Sequence, residues 1–125
     1  MINVLIVDDA ALVRERLANR FREQLSVRSI QQAATVDEAL RMINGDTPDI
    51  AIIDIGLPDG NGIEILAALK ARASETCIIM LTNYSLNALR EKCLSLGADY
   101  FFDKSEEFDR IFDVLDDVKQ KKAAS

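Results

Sequence analysis

Residues 51–62 read AIIDIGLPDGNG, and the fold of the chain is read outward from them. The apolar run Ile50 to Ile53 has the continuous hydrophobicity of a strand buried on both faces, and it stops abruptly at Asp54. Leu57-Pro58 and the turn-forming Asp59-Gly60-Asn61-Gly62 follow at once. A carboxylate thus stands at the carboxyl end of a central strand, where open α/β sheets bind ligands in a crevice that packed helices cannot cover. An isolated Asp in such a place more often does no more than open a loop. Asp54 is not isolated, because a second apolar run, Ile2 to Val7, ends on Asp8 and Asp9. If both runs lie in one parallel sheet, the carboxylates of Asp8, Asp9 and Asp54 converge at the same rim.

Such a cluster repels itself by on the order of several kcal/mol per close pair at low effective dielectric. Proton sharing, which raises a pKa, is one relief, and a hard divalent cation with oxygen ligands is the other. Mg²⁺ suits a shallow, partly wet site because it keeps several of its waters. The chain has no His and only two Cys, which leaves zinc and softer metals without ligands. The same lack removes Ser-His-Asp and Cys-His chemistry and excludes the chain as a phosphohistidine carrier.

At 125 residues the chain is expected to form a single domain, residues 1–125, with an ordinary globular composition of 49% hydrophobic and 29% charged residues. Its net charge of -6 argues against a phosphate-tracking surface, so no direct contact with nucleic acid is expected. The apolar stretch near the start is too short for a signal peptide or membrane span, and the expected location is cytoplasmic. Cys77 lies in an apolar run and Cys93 on an apolar helix face, as buried core thiols would.

Strands and helices alternate along the chain. Val13, Leu17 and Phe21 mark a helix over 11–24, and 27–34 reads as a strand. Thr35 and Glu38 form a capping box for a helix with Val36, Ala39, Leu40 and Ile43 inward, closed by Gly45. After the central strand come a helix over 63–72, with Ile63, Leu66 and Leu69 inward, and a strand from Cys77 to Leu81 ending on Thr82. Leu86, Leu89, Cys93 and Leu96 mark one face of the next helix, stopped by Gly97. Tyr100 to Phe102 is a short strand running into Asp103 and Lys104, and the last helix turns Phe108, Ile111, Phe112, Leu115 and Val118 inward. Residues 119–125, KQKKAAS, read as a loose tail or the start of a linker. Alternation of this kind predicts a parallel α/β sheet with helices on both faces.

Polar side chains thereby gather at one rim: Asp8, Asp9, Asp54, Thr82 and Lys104. Carboxylates beside a hydroxyl and an ammonium suit a phosphoryl group carried on a carboxylate, whose added charge cations and donors must meet. With LIVDDA at 5–10, IIDIGLPDGNG at 52–62, MLTN at 80–83 and GADYFFDKS at 97–105, the chain resembles the receiver domain of two-component response regulators over its whole length. The resemblance implies a flavodoxin-like, doubly wound five-stranded parallel sheet of order 2-1-3-4-5. It implies that Asp54 accepts a phosphoryl group from the phosphohistidine of a sensor histidine kinase or phosphotransfer protein. Asp9, Asp54 and the Gly56 carbonyl would ligate Mg²⁺, with Asp8 acting mainly through a water. Thr82 and Lys104 would contact phosphoryl oxygens, and Thr82 with Phe101 would form the switch, although Phe101 equally suits the core.

The chain departs from the family in two places. Ser105 follows Lys104 where members often have a Pro after a cis bond, and Ser105 also suits the N-cap of the last helix. Gly56 leaves the phosphoryl face without a side chain there and, with Tyr84, is expected to tune attack by water. The resemblance implies no conventional enzyme but a protein that catalyses its own phosphorylation and dephosphorylation. A downstream protein target or an output domain outside these residues, and a phosphorylation-dependent homodimer, are the expected partners; no membrane is. The alternative is a receiver-like interaction module that works without phosphorylation. A dehalogenase-like phosphatase would need a second Asp two residues after the nucleophile, where Ala10 and Gly56 stand.

Overall fold

The computed structural model describes residues 1–72, 75–83 and 86–124, the last of these without its side chain. Five strands, β1 (Ile2–Val7), β2 (Val27–Ala33), β3 (Ile50–Ile53), β4 (Cys77–Thr82) and β5 (Tyr100–Asp103), pair in parallel in the order β2-β1-β3-β4-β5. Five helices, α1 (Ala11–Arg22), α2 (Val36–Gly45), α3 (Gly62–Ala71), α4 (Asn87–Ser95) and α5 (Arg110–Ala124), alternate with them. This is the expected flavodoxin-like order. No described helix is long and apolar enough to cross a membrane.

Strand alternation divides the core into two layers. Leu5, Val7, Ala51, Ile53, Ile78, Met80 and Phe101 face α2, α3 and α4, while Val4, Ile6, Ile50, Ile52, Ile79, Leu81 and Phe102 face α1 and α5. Every residue of β3 is buried, which explains why its sequence is continuously apolar. The α1/α5 layer closes on Phe21, whose ring lies 5.0 Å from that of Phe112. Arg16 and Arg20 cover the rings of Phe108 and Phe112 from outside at 4.1 and 3.8 Å.

Several local expectations need correction. Thr35 caps α2 by accepting from the Glu38 N–H, but the Glu38 carboxylate returns to the Ala34 N–H and the Thr35 hydroxyl rather than to the Thr35 N–H. Gly45 ends α2 without a left-handed conformation; Gly97, with φ 108°, is the glycine that stops a helix that way. Its N–H donates to Leu94 and that of Ala98 to Cys93, the paired bonds of a Schellman motif. On α4 only Cys93 and, partly, Leu89 reach the core, whereas Leu86 and Leu96 are 66% and 44% exposed. The helix has only nine residues and packs chiefly on the edge strand β5, so a single narrow stripe at four-residue spacing is covered. Residues 119–124 are not loose but continue α5, where Lys122 pairs with Asp49 at 3.0 Å and also donates to the Met1 carbonyl.

Candidate functional site

The ladders continue one residue past the strand ends. The Asp54 N–H donates to the Val7 carbonyl at 2.9 Å, the Asp8 N–H to Ala33 at 3.0 Å, and the Lys104 N–H to Thr82 at 2.9 Å. Asp8, Asp54 and Lys104 therefore leave the sheet at one level and on one rim. The Asp8 carboxylate accepts from the Ala10 N–H at 2.9 Å, and the Arg14 guanidinium donates to the Asp8 carbonyl at 2.7 Å, which fixes the turn into α1.

Beyond Asp54 the chain forms a short antiparallel hairpin, Gly56–Leu57 with Gly60–Asn61, and enters α3 through a capping box between Asn61 and Glu64. Gly62, the first residue of α3, lies against the Asp54 backbone so closely that a Cβ there would be 2.2 Å from the Asp54 carbonyl oxygen. At the hairpin tip the Asp59 carboxylate accepts from the N–H groups of Val36 and Asp37 at 2.8 and 3.0 Å, tying this loop to the start of α2. Those bonds hold the Asp59 carboxyl below its ordinary range.

The geometry at the rim is compact. Carboxylate oxygens of Asp8, Asp9 and Asp54 all lie within 4.8 Å of one another, with Asp8 and Asp54 buried and Asp9 exposed. The Lys104 ammonium reaches between two of them, 2.6 Å from Asp8 Oδ2 and 3.2 Å from Asp54 Oδ2. Burial raises the Asp54 carboxyl above the ordinary carboxylate range, and the charge of Asp8 adds to that while Lys104 opposes it. Burial acts against the Lys104 ammonium, but its hydrogen bond to Asp8 and the two nearby carboxylates more than offset it and lift its pKa. A cation is thus already favoured among these oxygens, and an all-oxygen set of this size, one member exposed, suits Mg²⁺.

The open cavity above them has a volume of about 400 Å³ and is bordered by Asp9, Asp54, Gly56, Asn83, Lys104 and Ser105, with Ala10 and Val13 on the α1 side. Gly56 is exposed, and nothing lies within 4 Å of where its Cβ would be. Thr82 is fully buried below the rim, and Asn83, the next residue, borders the opening instead. Phe101 packs in the α2/α3/α4 layer at 4% exposure, and Tyr100 falls in the opposite layer, as alternation expects. Tyr84 lies outside the described residues. A larger groove of about 1000 Å³, bordered by Cys77, Tyr100 and the end of α5, lies at the opposite end of the sheet, remote from the carboxylates.

Ser105 does not cap the last helix, which starts only at Arg110. The Lys104–Ser105 bond is trans, and the turn is closed by Asp103, whose carboxylate accepts from the Ser105 N–H, the Ser105 hydroxyl and the Glu106 N–H. Neither Asp103 nor Asp59 was singled out from sequence for these roles, since side chains bonding to backbone a few residues or a whole element away leave no periodic signal.

A parallel sheet of this order with carboxylates and a lysine at its carboxyl rim has close counterparts. The response regulator receiver domain profile matches residues 4–116. The chain belongs to the response regulator receiver family. This receiver domain is 34% identical over 122 residues to the sensory transduction protein LytT of Bacillus anthracis, covering 98% of this chain and 49% of LytT. It is 32% identical to the transcriptional regulatory protein MalR of Bacillus subtilis over 97% of this chain and 52% of MalR. The chain therefore spans about half the length of the curated relatives it matches. Among solved structures, the N-terminal domain of an uncharacterised Wolinella succinogenes protein superposes with a TM-score of 0.89 at 27% identity, covering 99% of this chain and 98% of that one. A Burkholderia pseudomallei response regulator, solved with a phosphorylated aspartic acid, a calcium ion and citrate, superposes with a TM-score of 0.80 at 25% identity, covering 99% of this chain and 72% of that one.

Proposed function

We propose that this receiver domain accepts a phosphoryl group on Asp54 from the phosphohistidine of a sensor histidine kinase or phosphotransfer protein, and that the phosphorylated form binds its partners differently. The observation that carries the reading is the buried Asp54 carboxylate, within 4.8 Å of Asp8 and Asp9 and 3.2 Å from the Lys104 ammonium, under an open cavity. The Burkholderia pseudomallei regulator, solved with a phosphorylated aspartic acid and a calcium ion, supports the same chemistry here.

In the proposed step an Asp54 oxygen attacks phosphorus, the P–O bond forms, and the P–N bond breaks with its electron pair returning to the imidazole of the donor. Asp8, Asp9 and Asp54, with the Gly56 carbonyl, would hold Mg²⁺, which when bound supplies positive charge to the phosphoryl oxygens. Lys104 screens the approach of an anionic phosphoryl to an anionic carboxylate and then pairs with the product. Thr82 would offer its hydroxyl to a phosphoryl oxygen by turning toward the rim. Space vacated by Thr82 is open to Phe101, which would alter the face formed by α4, β5 and α5. Hydrolysis, by attack of water on phosphorus, would return Asp54 to its free carboxylate, with Gly56 and Asn83 bordering the approach.

Partners in this reading are the phosphohistidine donor, a downstream protein or an output domain in the same polypeptide, and a second phosphorylated copy. The reading carries a cytoplasmic setting with it. Intact and peptide mass after incubation with Mg²⁺ and a small acyl phosphate tests it. A gain of one phosphoryl group on Asp54, absent in Asp54→Asn and without metal, is expected. No gain from either this donor or a phosphohistidine protein, in a folded metal-binding chain, would favour an interaction module that works without phosphorylation.

A further inference from the structure

The proposed chemistry leaves open what aims Lys104. A lysine carries four side-chain torsions, yet here the ammonium sits 2.6 and 3.2 Å from two carboxylates with the side chain only 12% exposed. The backbone must hold its root still. On the N-terminal side it does so through the sheet, by the Lys104 N–H to Thr82 bond at 2.9 Å. On the C-terminal side no sheet remains, and α5 starts six residues later at Arg110.

Asp103 fills that gap. One carboxylate oxygen, Oδ1, accepts from the Ser105 N–H at 2.8 Å, the Ser105 hydroxyl at 2.5 Å and the Glu106 N–H at 3.0 Å. The Asp103 backbone closes the same turn from the other side: its carbonyl accepts from the Glu107 N–H at 2.9 Å and its N–H donates to Glu107 Oε1 at 3.2 Å. Arg110 holds Glu107 in turn, at 2.7 Å. Lys104 is thus the residue around which this turn is wrapped, and its side chain is the one that leaves toward Asp8 and Asp54.

We propose that Asp103 is a positioning residue for Lys104, prefolding the 103–107 turn so that the ammonium enters the carboxylate cluster. The inference rests on the phosphoryl-acceptor reading only for its effect on rate; the placement of Lys104 is separable from it. A carboxylate is suited to the task because a side-chain acceptor one residue before Lys104 can gather two successive N–H groups and a hydroxyl.

Two readouts test this in the full chain. The first is the rate of reductive methylation of the Lys104 amine, followed by peptide mass, which needs no phosphorylation. Asp103→Ala is expected to raise it about tenfold as the buried amine is released, and Asp103→Asn, which keeps an acceptor oxygen, is expected to restore most of the protection. The second is phosphorylation by a small acyl phosphate. Asp103→Ala is expected to slow it about 10- to 100-fold, as misplacement of a charge-stabilising group does. In a Lys104→Met background the same change is expected to matter by less than about twofold, because nothing is left to aim. Unchanged protection of Lys104 in a folded Asp103→Ala protein overturns the proposal, and so does an equal loss of rate with and without Lys104. Loss of protection in a protein that never phosphorylates would leave Asp103 as the positioner and refute the acceptor reading instead.

Discussion

Replacing Gly62 by Ala separates a reading of the sequence from a reading of the structure, because the two predict opposite signs. Gly62 opens α3, and Gly to Ala at a compatible helical position ordinarily stabilises by about 0.4–1 kcal/mol. At Gly62 the added Cβ would stand 2.2 Å from the Asp54 carbonyl oxygen, 2.7 Å from Ile53 Cγ2 and 3.1 Å from the Asp54 carbonyl carbon. A carbon and a carbonyl oxygen approach to about 3.3 Å at closest, so α3 and the end of β3 must part by roughly 1 Å. Both obstacles on the Asp54 side are backbone, which cannot swing aside as a flexible side chain can. Overpacking of this kind costs about 1–3 kcal/mol, and after the propensity gain a net destabilisation of about 1–2 kcal/mol is expected. Because the displaced atoms belong to Asp54, the phosphorylation rate is expected to fall by on the order of 100-fold. Urea unfolding gives the first quantity and the time course with a small acyl phosphate the second. A Gly62→Ala protein at least as stable as the wild type and phosphorylated at the same rate would show that the end of β3 yields to the added methyl without cost.

Two further outcomes follow from the electrostatics. The folded state holds the Asp54 carboxyl above its ordinary pKa of 3.8, so it binds that proton more tightly than the unfolded chain and loses stability as pH rises from 3.8 through the raised folded value. Without metal, Asp54→Asn is therefore expected to be more stable than the wild type at pH 7, with the difference shrinking as pH falls through the raised folded value and lost below about 3.8; equal urea midpoints at pH 7 would contradict this. Burial, with Asp99 adding, pushes the Cys77 thiol up to about 12 from 9.0, which lowers its thiolate fraction at pH 8 about a thousandfold. Iodoacetamide should leave Cys77 unmodified in the native protein on a time scale that fully labels it in urea, and prompt native labelling would show that this end of β4 opens.

The order of the elements and the polar rim are legible in the amino-acid sequence alone. Alternating apolar runs of strand length with amphipathic helices admit few topologies, and strands that end on Asp8, Asp54 and Thr82 or run on to Lys104 place polar groups at the carboxyl edge of any parallel sheet built from them. Those signals are local and periodic, so one chain suffices to read them. How firmly and where each side chain is held depends on contacts made across the folded chain. Leu86 and Leu96 share a helical face with Cys93, yet they are exposed because α4 packs on an edge strand too narrow to cover them. Gly62 reads as an ordinary turn glycine until α3 is seated on the Asp54 carbonyl. Asp59 and Asp103 read as loop acids until their carboxylates meet the N–H groups of α2 and of the 104–106 turn. Contacts of this kind join atoms from separate segments, or turn on one side-chain torsion, and neither leaves a period in the sequence. The approach of Lys104 to Asp8 and Asp54 belongs with them: its charge was legible, and its position was fixed by the sheet behind it and the turn ahead of it.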